Sequence, residues 1–392
     1  MSKKRLFLTA CPLYLAFYMG DAFLCSYYAL YFLERGIPSD QQAILLALIP
    51  FSMFLGCLLF SAIAKNSDRA LWVFRFCALA EIGLILGYAF ASSFTALIIL
   101  TPLIGLVNGA PFGLIEGYLV PHIEHKGGNY AFVRIFGSIG YAISLLVGAV
   151  LLRFIAIHDC FYFASGFIAI ALGLSFLLRE KPLTTEVVVE EEKQPKPKTK
   201  GLSYGAVIFC LSYALIYGSF LGSLYLIPIR LNNLGFQDAD YSLMRGVGVV
   251  IEIVFFLLIP LFAKHFKNTK VPMVLAAGFY VVSTACCVWI AEPWSLATTF
   301  FLFNSIAKAF MFSFQARLLG KIVPEEDLSR VLTIAVGGTN FVSALFNLFS
   351  SSIFNAWGHE GFFGLISVME IVGLGLLFAL PKKGSVPAGK AE

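Results

Sequence analysis

Residues 186–200 read EVVVEEEKQPKPKTK, an acidic block running into a basic one, cut by two prolines and free of aromatic side chains. A segment with so little apolar surface cannot repay the entropy of ordering, so it is expected to be a flexible linker. On both sides of it the chain changes character. The whole sequence is 59% hydrophobic and 13% charged with a mean hydropathy of +0.85, and 40 of its 392 residues are Phe, a composition foreign to water-soluble domains. Crossing about 30 Å of hydrocarbon takes about 20 mostly apolar residues per helix. Twelve stretches qualify, at 6–33, 41–64, 71–92, 95–121, 130–153, 160–179, 204–231, 242–263, 271–291, 295–319, 331–355 and 361–380, six on each side of the linker. The expected fold is an all-α polytopic membrane protein whose twelve helices form two pseudo-symmetric six-helix bundles, 1–180 and 204–381, joined by a linker at 181–203 and followed by a tail at 382–392. The first span is too long for a signal-peptide core and lacks a small-residue cleavage site, so it is expected to be retained.

Lys and Arg gather on the cytoplasmic side of membrane proteins. With the N-terminus inside, most loop bases, the basic end of the linker and Lys382 and Lys383 fall on the inner side, and only Arg35, Arg153, Arg230 and Arg245 fall outside. Both termini are therefore expected in the cytoplasm, with the chain in a cell (inner) membrane. The formal charge of +5 follows from this bias, and no basic patch interleaved with aromatics points to nucleic acid. Eight scattered cysteines contain no C-x-x-C pair, which argues against a disulfide framework or a metal site. No cofactor motif or nucleophile–base cluster suggests an enzyme.

The halves repeat at an offset of about 199 residues. Gly36-Ile37-Pro38-Ser39 matches Gly235-Phe236-Gln237-Asp238, and Ala64-Lys65-Asn66 matches Ala263-Lys264-His265. At the same offset Glu116 matches Gln315, polar groups at equal depth in the fourth and tenth spans. Parallel six-helix repeats with a midplane site between them are a transporter plan.

An acid or base at the middle of a spanning helix costs roughly 2.5–3.5 kcal/mol on insertion scales, so such groups mark a partner or a wet pathway. Glu116 and Arg134 stand nine residues either side of His125, at equal depth in one hairpin, and offer a fork of donors with a pair of acceptors for solute hydroxyls or a carboxylate. Tyr141, two turns from Arg134, could stack on a solute ring. Asp21, amid Tyr18, Tyr27 and Tyr28, is the leading proton carrier, and Lys308 is expected to pair with Glu252 or Asp21. Glu81 and Glu370 are expected to face peripheral polar neighbours. Gly105, Gly109, Gly113 and Gly117 form one small-residue stripe, and Gly137, Gly140, Ser144 and Gly148 another, where helices can approach closely.

With its twelve spans, charged central loop and repeat, the chain resembles the major facilitator superfamily over essentially its whole length. Arg134-Ile135-Phe136-Gly137-Ser138-Ile139-Gly140-Tyr141-Ala142 is similar to the fifth-span motif of the lactose permease group of oligosaccharide and phenylpropionate proton symporters. That resemblance implies that Glu116 and Arg134 bind solute, that Tyr141 stands where the group stacks sugar, and that Glu252 contributes to coupling. It also exposes departures. Lys308 and Met311 occupy the positions of the group's tenth-span His and proton-carrying Glu, and Ser61 and Lys65 replace the superfamily's Gly and Asp in the loop after the second span, with Asp68-Arg69 as a substitute. The expected function is proton-coupled uptake of a small polar solute, sugars first, by a monomer in a lipid bilayer. Aromatic acids, nucleosides, and export of drugs or metabolites remain as alternatives.

Overall fold

In the computed structural model, residues 3–64, 67–128, 130–178, 202–263, 266, 268–323 and 325–380 are described. Residues 181–201 of the linker and the C-terminal tail lie outside them, as do Lys65 and the side chains of Ser61 and Asp68. The described residues contain helices and no strand. In chain order the helices are α1 (Lys3–Cys25), α2 (Tyr28–Glu34), α3 (Ser39–Ile63), α4 (Ser67–Phe90), α5 (Phe94–Asn108), α6 (Pro111–His125), α7 (Tyr130–Leu151), α8 (Cys160–Ser175), α9 (Tyr204–Tyr213), α10 (Ser219–Asn233), α11 (Asp238–Ala263), α12 (Lys270–Trp289), α13 (Pro293–Leu319) and α14 (Glu325–Ala379).

Eleven helical stretches are long and apolar enough to cross a membrane. The last of them, 46 residues long, would measure about 69 Å at 1.5 Å per residue, twice what one crossing needs. It is divided at Gly358, whose φ of 66° lies in the left-handed region open to glycine. The chain therefore makes twelve crossings, as the hydropathy pattern predicts.

Three crossings expected to be continuous are broken. The first stops at Ser26 and Tyr27, between α1 and α2. The fourth breaks at Gly109 and Ala110, because Pro111 disfavours helical backbone in the residue before it while fitting the first position of a new helix. The seventh passes through a π turn, Ala214–Gly218, between α9 and α10. Interrupted backbone at membrane depth survives only where protein or a polar cavity serves its freed groups.

The repeat is legible in the backbone. α3 starts at Ser39 and α11 at Asp238, α4 ends at Phe90 and α12 at Trp289, and α5 starts at Phe94 and α13 at Pro293, each pair 199 residues apart. The connectors match bond for bond. Gly36 and Gly235 have φ of 64° and 81°, Ile37 N donates to Phe32 O, and Phe236 N donates to Leu231 O, both at 3.0 Å. This is the Schellman closure, for which a left-handed glycine is best suited. Ser93 and Glu292, also 199 apart, accept from the first backbone N–H groups of α5 and α13.

Between the helices before the linker and those after it, the main contacts are α7 on α11 and α3 on α14. Tyr27 Oη bonds Ser242 Oγ at 2.5 Å, Ser242 Oγ donates to Leu145 O at 2.6 Å, and Asn347 Nδ2 donates to Leu46 O at 3.1 Å. Ser351 Oγ reaches Ser39 Oγ at 3.4 Å, and Arg153 lies 3.9 Å from Asp240. These bonds all lie toward the end of the molecule opposite Lys3, hereafter the far end.

The glycine stripes are half as expected. A side chain at Gly109 would meet the Met53 backbone of α3, one at Gly105 would meet Ser52, and Gly56 faces Leu106 O in return. Past the break the stripe ends: nothing lies within 4 Å of a side chain built at Gly113 or Gly117. The second stripe holds, with Gly137 against Tyr18, Gly140 against Leu15 O, Ser144 Oγ donating to Met19 O, and Gly148 against Tyr27.

Candidate functional site

A cavity of about 1330 Å³ lies between the helices that precede the linker and those that follow it. Of the side chains singled out in the sequence, six line it: Glu116, Arg134, Tyr141, Glu252, Lys308 and Gln315. Glu116 on α6 and Arg134 on α7 form an ion pair, and the Arg134 guanidinium stands 5.8 Å from the centre of the Tyr18 ring. Across the cavity Lys308 Nζ on α13 lies 3.8 Å from Glu252 Oε2 on α11 and faces the Phe220 ring at 5.9 Å. Of the two partners expected for Lys308, the structure brings Glu252. Gln315 Oε1 and Asn304 Oδ1 are buried acceptors in the same wall with no hydrogen bond from a described residue.

Tyr141 differs from the expected free stacking surface. Its hydroxyl receives a hydrogen bond from Arg245 Nη2 at 2.9 Å and pairs with Ser26 Oγ at 3.2 Å. Arg245 Nη1 also donates to Tyr241 Oη at 2.7 Å and to Ser26 O at 3.3 Å, a carbonyl at the break between α1 and α2. The first interruption thus hands a backbone acceptor to a membrane-depth cation.

Arg245 corrects the charge census, which counted it with the outer loops; it lines the cavity. The sequence held the signal. Arg245 lies inside the stretch 242–263, and seven residues separate it from Glu252, which places both on one helix face.

Asp21 is not among the lining residues. It is 8% exposed behind the wall, where Asn108 Nδ2 donates to Asp21 Oδ1 at 3.1 Å and Cys25 Sγ approaches the same oxygen at 3.2 Å. The same Asn108 nitrogen donates to Glu81 Oε1 at 2.8 Å. Glu81, expected to be peripheral, is fully buried beside Asp21, and Glu81 Oε2 has no hydrogen-bond partner among the described residues. Asn108 ends α5 at the break of the fourth crossing, so one neutral amide joins helices α1, α4 and α5. Glu370, expected to be peripheral as well, is likewise fully buried; it does face a polar neighbour, Thr284 Oγ1 donating to Glu370 Oε2 at 2.6 Å, and it does not line the cavity.

Among the described residues no group of three or more His, Cys, Asp or Glu could hold a metal ion. The wall offers hydrogen-bond donors and acceptors of both charges to whatever occupies the cavity.

Comparison with known proteins agrees with this architecture. The chain is 21% identical over 373 residues to the uncharacterized transporter YwbF of Bacillus subtilis (strain 168), covering 94% of this chain and 92% of that one. Its fold matches a crystal structure of a point mutant of the nucleoside transporter NupG with a TM-score of 0.79 at 14% identity, over 96% of this chain and all of the other. It matches the D-xylose-proton symporter with a TM-score of 0.74 at 17% identity, over 98% and 99%. Residues 10–359 match the MFS_1-like family, so the chain belongs to that family: a multi-pass membrane transporter of the major facilitator superfamily, and not an enzyme.

Proposed function

We propose that this transporter carries a small polar organic solute into the cell by proton symport, alternating access to its central cavity as the helices before and after the linker rock against each other. The observation that carries the reading is the cavity wall, where the Glu116–Arg134 pair faces the Lys308–Glu252 pair. Each pair supplies both donors and acceptors, and the acceptors Gln315 Oε1 and Asn304 Oδ1 add to them. Hydroxyl groups need this mixture, so a sugar-like solute is the first expectation. The fold neighbours named for nucleoside and D-xylose transport accord with it.

Asp21 is the proposed proton site. Two carboxylates, Asp21 and Glu81, lean on one Asn108 amide in a dry setting, and a single proton on the pair removes the repulsion between them. A Lys308–Glu252 pair that opens during the cycle would complete the coupling. Among the described residues the hydrogen bonds that close the interface gather at the far end. With both termini cytoplasmic, as the distribution of Lys and Arg implies, this is an inward-facing arrangement of a monomer in the cell membrane.

The test is proton entry and solute uptake in proteoliposomes across a panel of sugars, nucleosides and aromatic acids, with Arg134→Ala as the control. Solute-dependent proton entry that disappears in the control supports symport through this site. A folded protein that moves solute with no accompanying proton would overturn the coupling, and solute driven outward by an inward proton gradient would make it an exporter.

A further inference from the structure

Among the described residues the charged side chains that line the cavity are Glu116, Arg134, Arg245, Glu252 and Lys308. Arg134 is paired with Glu116 and Lys308 with Glu252. Arg245 has no carboxylate within ion-pairing distance among the described residues; its partners are two phenol hydroxyls and a backbone carbonyl. The wall itself therefore carries one cation more than its anions. Asp21, behind the wall, acts on Arg245 through space, but its hydrogen bonds go to Asn108 and Cys25 and no hydrogen bond or ion pair joins it to Arg245 among the described residues.

An arginine in a low-dielectric cavity is costly without a negative partner. A guanidinium has five N–H donors. Three hydrogen bonds engage both hydrogens of Nη1 and one of Nη2, which leaves Nε–H and the second Nη2–H without a partner among the described residues. That edge is the planar fork that takes a carboxylate in two parallel hydrogen bonds. Tyr141 and Tyr241, whose rings each stand 6.0 Å from the guanidinium, hold the fork in place.

We infer that the solute is a monocarboxylate whose carboxylate docks on Arg245 at the far end of the cavity while its hydroxylated body lies toward Glu116, Arg134 and Gln315. The solute class is then an organic acid of the sugar-acid kind, and a neutral sugar would leave the free N–H donors of Arg245 without a charged acceptor. The inference rests on the cavity being the solute site and does not depend on proton coupling.

Equilibrium binding tests it apart from transport. The purified full-length protein in detergent is titrated with matched probes, D-glucuronate against D-glucose and 3-phenylpropionate against 3-phenylpropanol, and stabilisation against heat is read out. The expected result is that the acid of at least one pair binds at least tenfold tighter than its neutral partner. Losing a buried charge partner typically corresponds to roughly thirtyfold or more, so Arg245→Gln should erase that preference and Arg245→Lys should keep part of it. The sugar and aromatic arms report which body the cavity prefers. Neutral partners that bind as well as their acids in both pairs overturn the inference, as does an acid preference that survives in Arg245→Gln. Since wild type and Arg245→Lys are read in the same way, a poorly folded Arg245→Gln would not decide the matter alone. Solute-driven proton movement, measured separately, tells a failure of this assignment from a failure of symport.

Discussion

Asp21 and Glu81 accept hydrogen bonds from one amide nitrogen, Asn108 Nδ2, at 3.1 and 2.8 Å, so two acids from different helices are tied to the end of a third. The tie sits where the fourth crossing breaks. Asn108 is the last residue of α5, and α6, which follows the break, carries Glu116 into the cavity.

Asp21→Asn should abolish accumulation driven by a pH gradient while leaving counterflow exchange in place. The carboxamide keeps the hydrogen bonding and removes the titrating group. Removing a negative charge behind the wall should also hold or tighten the binding of an acidic solute, since like charges in low dielectric repel. Uptake against a gradient and counterflow, measured on the same proteoliposomes, check it; retained accumulation would take Asp21 out of the mechanism.

Exchanging charges in Glu116→Arg with Arg134→Glu should leave a folded protein that has lost solute binding by about 2–5 kcal/mol. A pair that merely fastened α6 to α7 would tolerate the swap. Thermal unfolding and equilibrium binding, measured together, separate the two roles.

Lys308→Ala should destabilise the protein more than the double change with Glu252→Ala, because the single change strands a carboxylate in a largely buried site. The difference should be up to about 3 kcal/mol, at the low end for buried pairs because both side chains keep some exposure. A double-mutant cycle on unfolding temperature measures it, and additive effects would mean that the two groups do not interact.

Gly109→Leu and Gly113→Leu should part company although they are one helical turn apart in sequence. The first drives a side chain into the Met53 backbone and should lower the unfolding temperature; the second points into the cavity and should spare stability while blocking solute. Equal loss of stability in both would show the stripe to be continuous.

Tyr27→Phe removes the 2.5 Å bond to Ser242 and should loosen the far end. Cys57 lines the cavity and gives a native reporter. A membrane-impermeant thiol reagent should label Cys57 from the N-terminal end in wild type and gain access from the far end in the variant, as read by peptide mapping. Unchanged labelling would place the seal elsewhere.

Much of this was legible in the sequence, because membrane spans declare themselves by length and hydropathy, and rare charges inside them stand out. Glu116, Arg134, Glu252 and Lys308 converge on one cavity for that reason, and Gln315 joins them through the 199-residue repeat. Arg245 escaped because a census of cations scores residues near span ends as topology signals, whatever face they occupy. Asn108 escaped because a neutral amide hardly perturbs hydropathy, and Glu81 was underrated because its importance depends on that amide. The breaks in the first and seventh crossings carry no proline at the break itself, and hydropathy is blind to backbone direction; the break before Pro111 was the readable one.

The two connectors that match bond for bond across 199 residues frame a wall that does not match. Glu116 stands opposite an amide, Gln315, at its equivalent position, and Tyr141 opposite Asn340. A scaffold with near-twofold regularity thus encloses a chiral, head-to-tail environment, in which a solute and its mirror image cannot make the same set of bonds, and either should bind in a single orientation.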